Sequence, residues 1–145
     1  AYAMEDGLLQ FYNTLAAENP LPDMKKLFQR LAGFEEKHKK RLQQEYSQEH
    51  GENAPLIATA KTGRKSDIME GGDRLSRFLE SVRPRLNKPR DILELAISLE
   101  SQALDLYGRL AQKSAVDKSK QLFRRLADEE MTHLNYLVQE FEERI

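Results

Sequence analysis

The chain has no cysteine, and this absence removes several classes of chemistry. Disulfides, iron–sulfur clusters, thiolate zinc sites and a cysteine nucleophile are all excluded within its 145 residues. An excess of one charge is also missing, because Lys and Arg nearly balance Asp and Glu and leave a net charge of −1. No basic excess predicts a nucleic-acid partner, and no block of like charges predicts an interaction tail.

Long hydrophobic runs and a signal peptide are missing as well. The apolar runs are too short to cross a bilayer, and the first residues lack the pattern of a secretory leader. Together with the missing cysteines, these features predict a cytoplasmic protein with no membrane partner. Helical patterning is already present at Ala1, which is not Met, so we expect the chain to be one domain of a longer protein or a trimmed form of it.

An internal repeat organises the sequence. Sliding the chain by 95 residues places 1–50 on 96–145 without a gap and gives 17 identical pairs out of 50, where composition alone predicts roughly three or four. The block KKLFQRLA at 25–32 falls on KQLFRRLA at 120–127. Shared helix-forming residues would explain some matches, but they do not explain the Glu, Tyr and His residues that match in the same register.

Each half is predicted to form two helices, because apolar residues recur at three- and four-residue spacing. The halves cover 1–47 and 88–145, and the segment Ser114–Asp117 before the last helix resembles a capping box. The linker 48–87 contains a short amphipathic pattern at about 74–82. Short loops within each half and a long crossover between them predict one all-α domain over 1–145, a ferritin-like antiparallel four-helix bundle with a short extra helix in the crossover.

Charged residues occupy the apolar stripe of each bundle helix, and no Lys or Arg lies on these stripes. Burying four carboxylates without compensation would cost several kcal/mol per group. Two divalent cations would bring four positive charges against them, and neutral imidazoles would complete the ligand sets. The six predicted metal ligands are Glu5, Glu35, His38, Glu100, Glu130 and His133.

The spacing of these residues fits a two-metal site. Glu-x-x-His places both side chains on one helix face, and two such motifs plus one Glu from each of two other helices is the pattern of ferritin-like di-iron and di-manganese sites. Oxygen and nitrogen ligands without thiolate favour iron or manganese, with zinc as an alternative. A single Glu-x-x-His is weak evidence, since among 16 glutamates a histidine has about a one-in-ten chance of that neighbour. Here two motifs match through the repeat.

Tyr12 and Tyr107 lie on the same stripes as the ligands and are matched by the repeat. One interpretation is core packing with a satisfied hydroxyl. The other is a hydrogen bond from the hydroxyl to a ligating carboxylate, which would give these residues a part in catalysis. The sequence leaves both open.

The segments that carry these residues resemble a known family. MEDGLLQFYNTLA with FQRLAGFEEKHKKRL, and LESQALDLYGRLA with FRRLADEEMTHLNYL, are similar to the rubrerythrin-type branch of the ferritin-like superfamily. The resemblance implies that the same six residues bind two iron ions and that Glu35 and Glu130 are bridging catalytic carboxylates. It also implies reduction of hydrogen peroxide, with electrons supplied through a rubredoxin-like iron centre.

Two positions depart from that family. The rubredoxin-like centre needs four cysteines, so we expect an external electron-donor protein or a missing fused domain as partner. The extra carboxylate that rubrerythrins carry one turn after the third helix's ligand is replaced by Ala103. This chain therefore lacks, at position 103, the carboxylate that would take part in the redox-linked ligand exchange of that family.

Three functions are consistent with these features. The first is an oxidoreductase, expected to be a homodimer, that reduces hydrogen peroxide or O₂ at a di-iron site. The second is a ferroxidase or iron-handling protein, although the 40-residue interruption between the halves argues against a storage shell. The third is a non-enzymatic dimerisation module with a structural metal.

Overall fold

The computed structural model describes residues 1–50, 74–85 and 88–144, and these residues contain helices and no β-strand. The all-α prediction is confirmed. The helices are α1 (Tyr2–Glu18), α2 (Pro22–His50), α3 (Leu75–Val82), α4 (Pro89–Lys113) and α5 (Asp117–Glu143), and a 3₁₀ turn at Arg83–Arg85 follows α3.

The chain divides into two compact units, of which the first is Ala1–Ser81. Here α1 and α2 form an antiparallel hairpin, because Asn19 takes an extended conformation and Pro22 begins the next helix. The side-chain oxygen of Asn19 accepts a hydrogen bond of 3.0 Å from the backbone N–H of Leu21 within this turn. Phe78 of α3 packs edge-on against Phe11 of α1, with ring centroids 5.3 Å apart.

The second unit, Val82–Ile145, contains the hairpin of α4 and α5. Lys88 is extended and Pro89 occupies the first turn of α4, where its missing N–H costs nothing. The predicted capping box at Ser114 is wrong. Val116 is the residue that precedes α5, and the Ser114 hydroxyl donates to the Val116 carbonyl at 3.3 Å, so it does not cap the N–H groups of the helix.

The predicted short helix within the crossover is confirmed as α3. Helix α2 continues to His50, three residues past the predicted end of the first half at 47. The loop predicted for the first part of the linker falls mainly in residues 51–73, which lie outside the described residues. In the described part of the chain, no helix has both the length and the apolarity that a bilayer crossing demands.

Candidate metal centre

The first half-site is a buried triad on the α1–α2 hairpin. Glu5 comes from α1 and Glu35 and His38 from α2, and their exposed fractions are 0%, 0% and 1%. The Nδ1 atom of His38 lies 3.4 Å from Glu5 Oε1 and 3.6 Å from Glu35 Oε2. The i, i+3 spacing within α2 and the antiparallel packing of α1 bring the three side chains together.

The second half-site repeats this arrangement on the α4–α5 hairpin. Glu100 comes from α4 and Glu130 and His133 from α5, with exposed fractions of 0%, 0% and 6%. The Nδ1 atom of His133 lies 3.5 Å from Glu100 Oε2 and 3.3 Å from Glu130 Oε2. The same nitrogen therefore faces two carboxylates in both hairpins.

The spacing of these atoms suits a metal ion. Within each triad, one ligand atom from each residue lies within 4.8 Å of the other two. Metal–ligand bonds of about 2.1 Å separate neighbouring ligand atoms by about 3.0 Å at octahedral angles and about 3.4 Å at tetrahedral angles. The observed contacts of 3.3 to 3.6 Å are close to these values. They exceed the roughly 2.7–2.9 Å of a strong charge-assisted hydrogen bond.

The imidazole of His133 lies next to two carboxylates, those of Glu100 and Glu130. Its burial lowers the pKa, but hydrogen bonds with Glu100 and Glu130 and their negative charges outweigh burial and raise the pKa above its usual value. Each triad contains two carboxylates and one imidazole, so the triad favours a positive charge at its centre.

Comparison with known proteins identifies the family of the chain. The rubrerythrin family model matches residues 1–70 and 91–144, which include all six predicted ligands. The chain belongs to the rubrerythrin family. No curated protein and no solved structure matches it.

In this rubrerythrin-family chain, the two predicted tyrosines pack in matched positions. The ring of Tyr12 stacks on Phe28 at 6.3 Å and 21°, and the ring of Tyr107 stacks on Phe123 at 6.2 Å and 22°. Both tyrosines are fully buried. The packing role is therefore present in both hairpins, while a hydroxyl bond to a ligand stays a prediction.

Ala103 lies one helical turn after Glu100 and is fully buried. In the alignment of the two halves it corresponds to Leu8, which is also buried. Its methyl group offers no metal ligand, so this position adds apolar volume next to Glu100 where the family resemblance leads one to expect a carboxylate.

Sequence reasoning missed one part-buried ion pair beside the first half-site. The Nζ atom of Lys39 lies 2.6 Å from Oδ1 of Asp6, and the Asp6 side chain is only 5% exposed. The same Nζ lies 5.4 Å from the centroid of the Tyr2 ring. Residues 4–9 of α1 are all buried, so a single apolar stripe underestimates how much of this helix is enclosed. Because the partners belong to different helices, no short-range spacing reveals the pair.

Proposed function

We propose that this rubrerythrin-family protein is a non-haem di-iron redox enzyme that reduces hydrogen peroxide, or alternatively O₂, at a carboxylate-bridged centre. The observation that carries the proposal is the pair of buried triads, each with two carboxylates and one imidazole on one helical hairpin. Six oxygen and nitrogen ligands without a thiolate suit iron or manganese best.

Charge balance supports a metal role over a purely structural one. Burying a carboxylate costs several kcal/mol where its charge is not balanced, and each triad holds two carboxylates at 0% exposure. A single protonated imidazole would leave each triad with a net negative charge, whereas a divalent cation would neutralise both carboxylates. A bound cation would therefore explain why four carboxylates are buried in these two triads.

In the proposed enzyme, Glu5, Glu35 and His38 would hold one ion and Glu100, Glu130 and His133 would hold the other. Glu35 and Glu130 would be the bridging carboxylates of the centre. A pair of bound ferrous ions would make available the two electrons that, with two protons, the reduction of one hydrogen peroxide to two waters requires. Phe28 and Leu31, which are buried on the same helix as Glu35 and His38, would help to keep bulk water away from the first triad.

The electron supply is proposed to come from another protein or from a fused domain. The chain has no cysteine and therefore cannot hold a rubredoxin-like centre itself. Such a donor would return the oxidised centre to the ferrous state after each turnover.

Anaerobic loading with ferrous iron, followed by stopped-flow mixing with hydrogen peroxide, tests this function. We expect two ferrous ions per chain, a ferric absorbance change and one peroxide consumed per pair of ions. The variant Glu130→Gln should lose most of this reaction, whereas Glu94→Gln, which changes an exposed residue paired with Arg90, should keep it. Iron binding without peroxide consumption would leave only a metal-binding role, and no iron binding would remove the proposal altogether.

A further inference from the structure

The two half-sites differ in the charged residues next to their ligands. In the first hairpin, the consecutive residues Glu5 and Asp6 of α1 contact the consecutive residues His38 and Lys39 of α2, at 3.4 Å and 2.6 Å. The ligand contact and the ion pair are therefore side by side. Tyr2, one turn before Asp6, adds its ring beneath the same ammonium group.

The second hairpin has no charges at the positions that match this ion pair. In the alignment of the two halves, Ser101 corresponds to Asp6 and Leu134 corresponds to Lys39. Ser101 is exposed, and its hydroxyl donates to the Ile97 carbonyl of its own helix at 2.7 Å. Leu134 is half-buried and apolar, so it offers no cation to α4. The residue that replaces Tyr2 is Ile97 itself, whose side chain has no ring to face a cation.

An ion pair between two helices favours the register in which its two charges meet. Its hydrogen bond is directional, and sliding α1 along α2 would leave the Asp6 carboxylate buried without its cation. The register sets the distance between Glu5 and His38, which are the neighbours of the paired residues. A ligand set whose geometry is held in advance binds a metal more tightly, because less ordering is needed on binding.

We infer that Asp6 and Lys39 are positioning residues that make the two metal sites unequal, so that the first ion binds at Glu5, Glu35 and His38. The inference rests on the proposed function insofar as both triads must bind metal. Residues that orient metal ligands typically contribute about 10- to 100-fold to affinity. For independent sites with a tenfold difference, one equivalent of metal fills about three quarters of the first site and about one quarter of the second.

Zinc titration followed by NMR of ¹⁵N-labelled histidine tests the order of binding. Zinc is diamagnetic and accepts the same oxygen and nitrogen ligands. The Nδ1 signals of His38 and His133 are assigned with the variants His38→Gln and His133→Gln. In the native chain, the metal-bound form of His38 should exceed that of His133 throughout the first equivalent, and His133 should gain most of its bound form as the second equivalent is added.

Three variants connect this order to the ion pair. The double variant Asp6→Asn with Lys39→Met removes both charges, so it avoids the buried unpaired charge that a single change would create and that could prevent folding. It should remove the preference, with both histidine signals shifting together. Lys39→Arg, which keeps the charge, should retain it. The matched control Ser101→Asn with Leu134→Met introduces the same two side chains in the second hairpin and should leave the native order unchanged.

The outcomes separate this inference from the proposed function. If both signals shift together in the native chain, if His133 shifts first, or if the double variant keeps the native order, the ion pair does not rank the sites although both bind metal. If neither signal shifts with two equivalents of zinc, the metal centre is wrong and the inference fails with it.

Discussion

Replacing Glu35 by Gln should change stability in opposite directions with and without metal. The Glu35 side chain is fully buried, and its contact with His38 Nδ1, at 3.6 Å, is too long for a strong hydrogen bond. His38 keeps a second carboxylate, Glu5, at 3.4 Å. The substitution therefore removes one of the two buried negative charges of this triad and keeps the shape of the side chain. In the metal-free protein, we expect it to raise the free energy of unfolding by about 1–3 kcal/mol.

Metal should reverse this order. A ligand present at about 1,000 times its dissociation constant stabilises the native state by about 4.1 kcal/mol. The amide that replaces the Glu35 carboxylate would be a neutral and weaker ligand, so the variant should gain little of this amount. The native protein should then be the more stable one, by about 1–3 kcal/mol.

Urea unfolding, followed by circular dichroism with a chelator and again with excess ferrous iron under anaerobic conditions, measures both differences. Glu36→Gln is the matched control, since it changes the neighbouring, half-buried glutamate of the same helix and should show no reversal. If the Glu35 variant is destabilised in chelator, or if iron fails to stabilise the native protein, the account of the buried charge is wrong.

Three further predictions concern neighbours of the triads. Lys39→Met should lower the free energy of unfolding by about 3–5 kcal/mol, because the buried carboxylate of Asp6 loses its cation. The double variant Asp6→Asn/Lys39→Met should be nearly neutral. Urea unfolding measures both, and equal losses of stability in the two variants would contradict this reasoning. Tyr12→Phe and Tyr107→Phe keep the ring stacks, so each should cost about 1 kcal/mol or less in thermal unfolding, and a loss of peroxide reduction well beyond that would assign the hydroxyl to the metal centre. Ala103→Glu adds a buried carboxylate and should destabilise the metal-free protein by several kcal/mol. If the new oxygen reaches a metal, calorimetry should show that iron restores part of this stability.

The sequence predicted the helices well because their boundaries are set locally. Pro22 and Pro89 each begin a helix, and the apolar periodicity between such breaks is unambiguous. The repeat then supplied what one helix cannot, since a Glu-x-x-His motif gains weight only when a second copy occurs in the same register. Within each hairpin, the structure brings together the predicted Glu and His residues.

Features that depend on contacts between helices were not predictable in the same way. The pair of Asp6 and Lys39 joins residues 33 positions apart, and each alone resembles an ordinary surface charge. The Ser114 motif had the composition of a capping box, but Val116 is the residue at the helix boundary. The choice between packing and hydrogen bonding for Tyr12 needs the position of a hydroxyl hydrogen bond, which no sequence pattern supplies.

The matched triads also have a consequence for how the chain folds. Glu5 and His38 are separated by 33 residues, and so are Glu100 and His133. Closing a chain segment of that length costs less entropy than closing one that spans both halves, and topologies rich in local contacts fold quickly. Each triad is therefore complete as soon as its own hairpin has formed, and a chelating group is available to a metal ion early in folding.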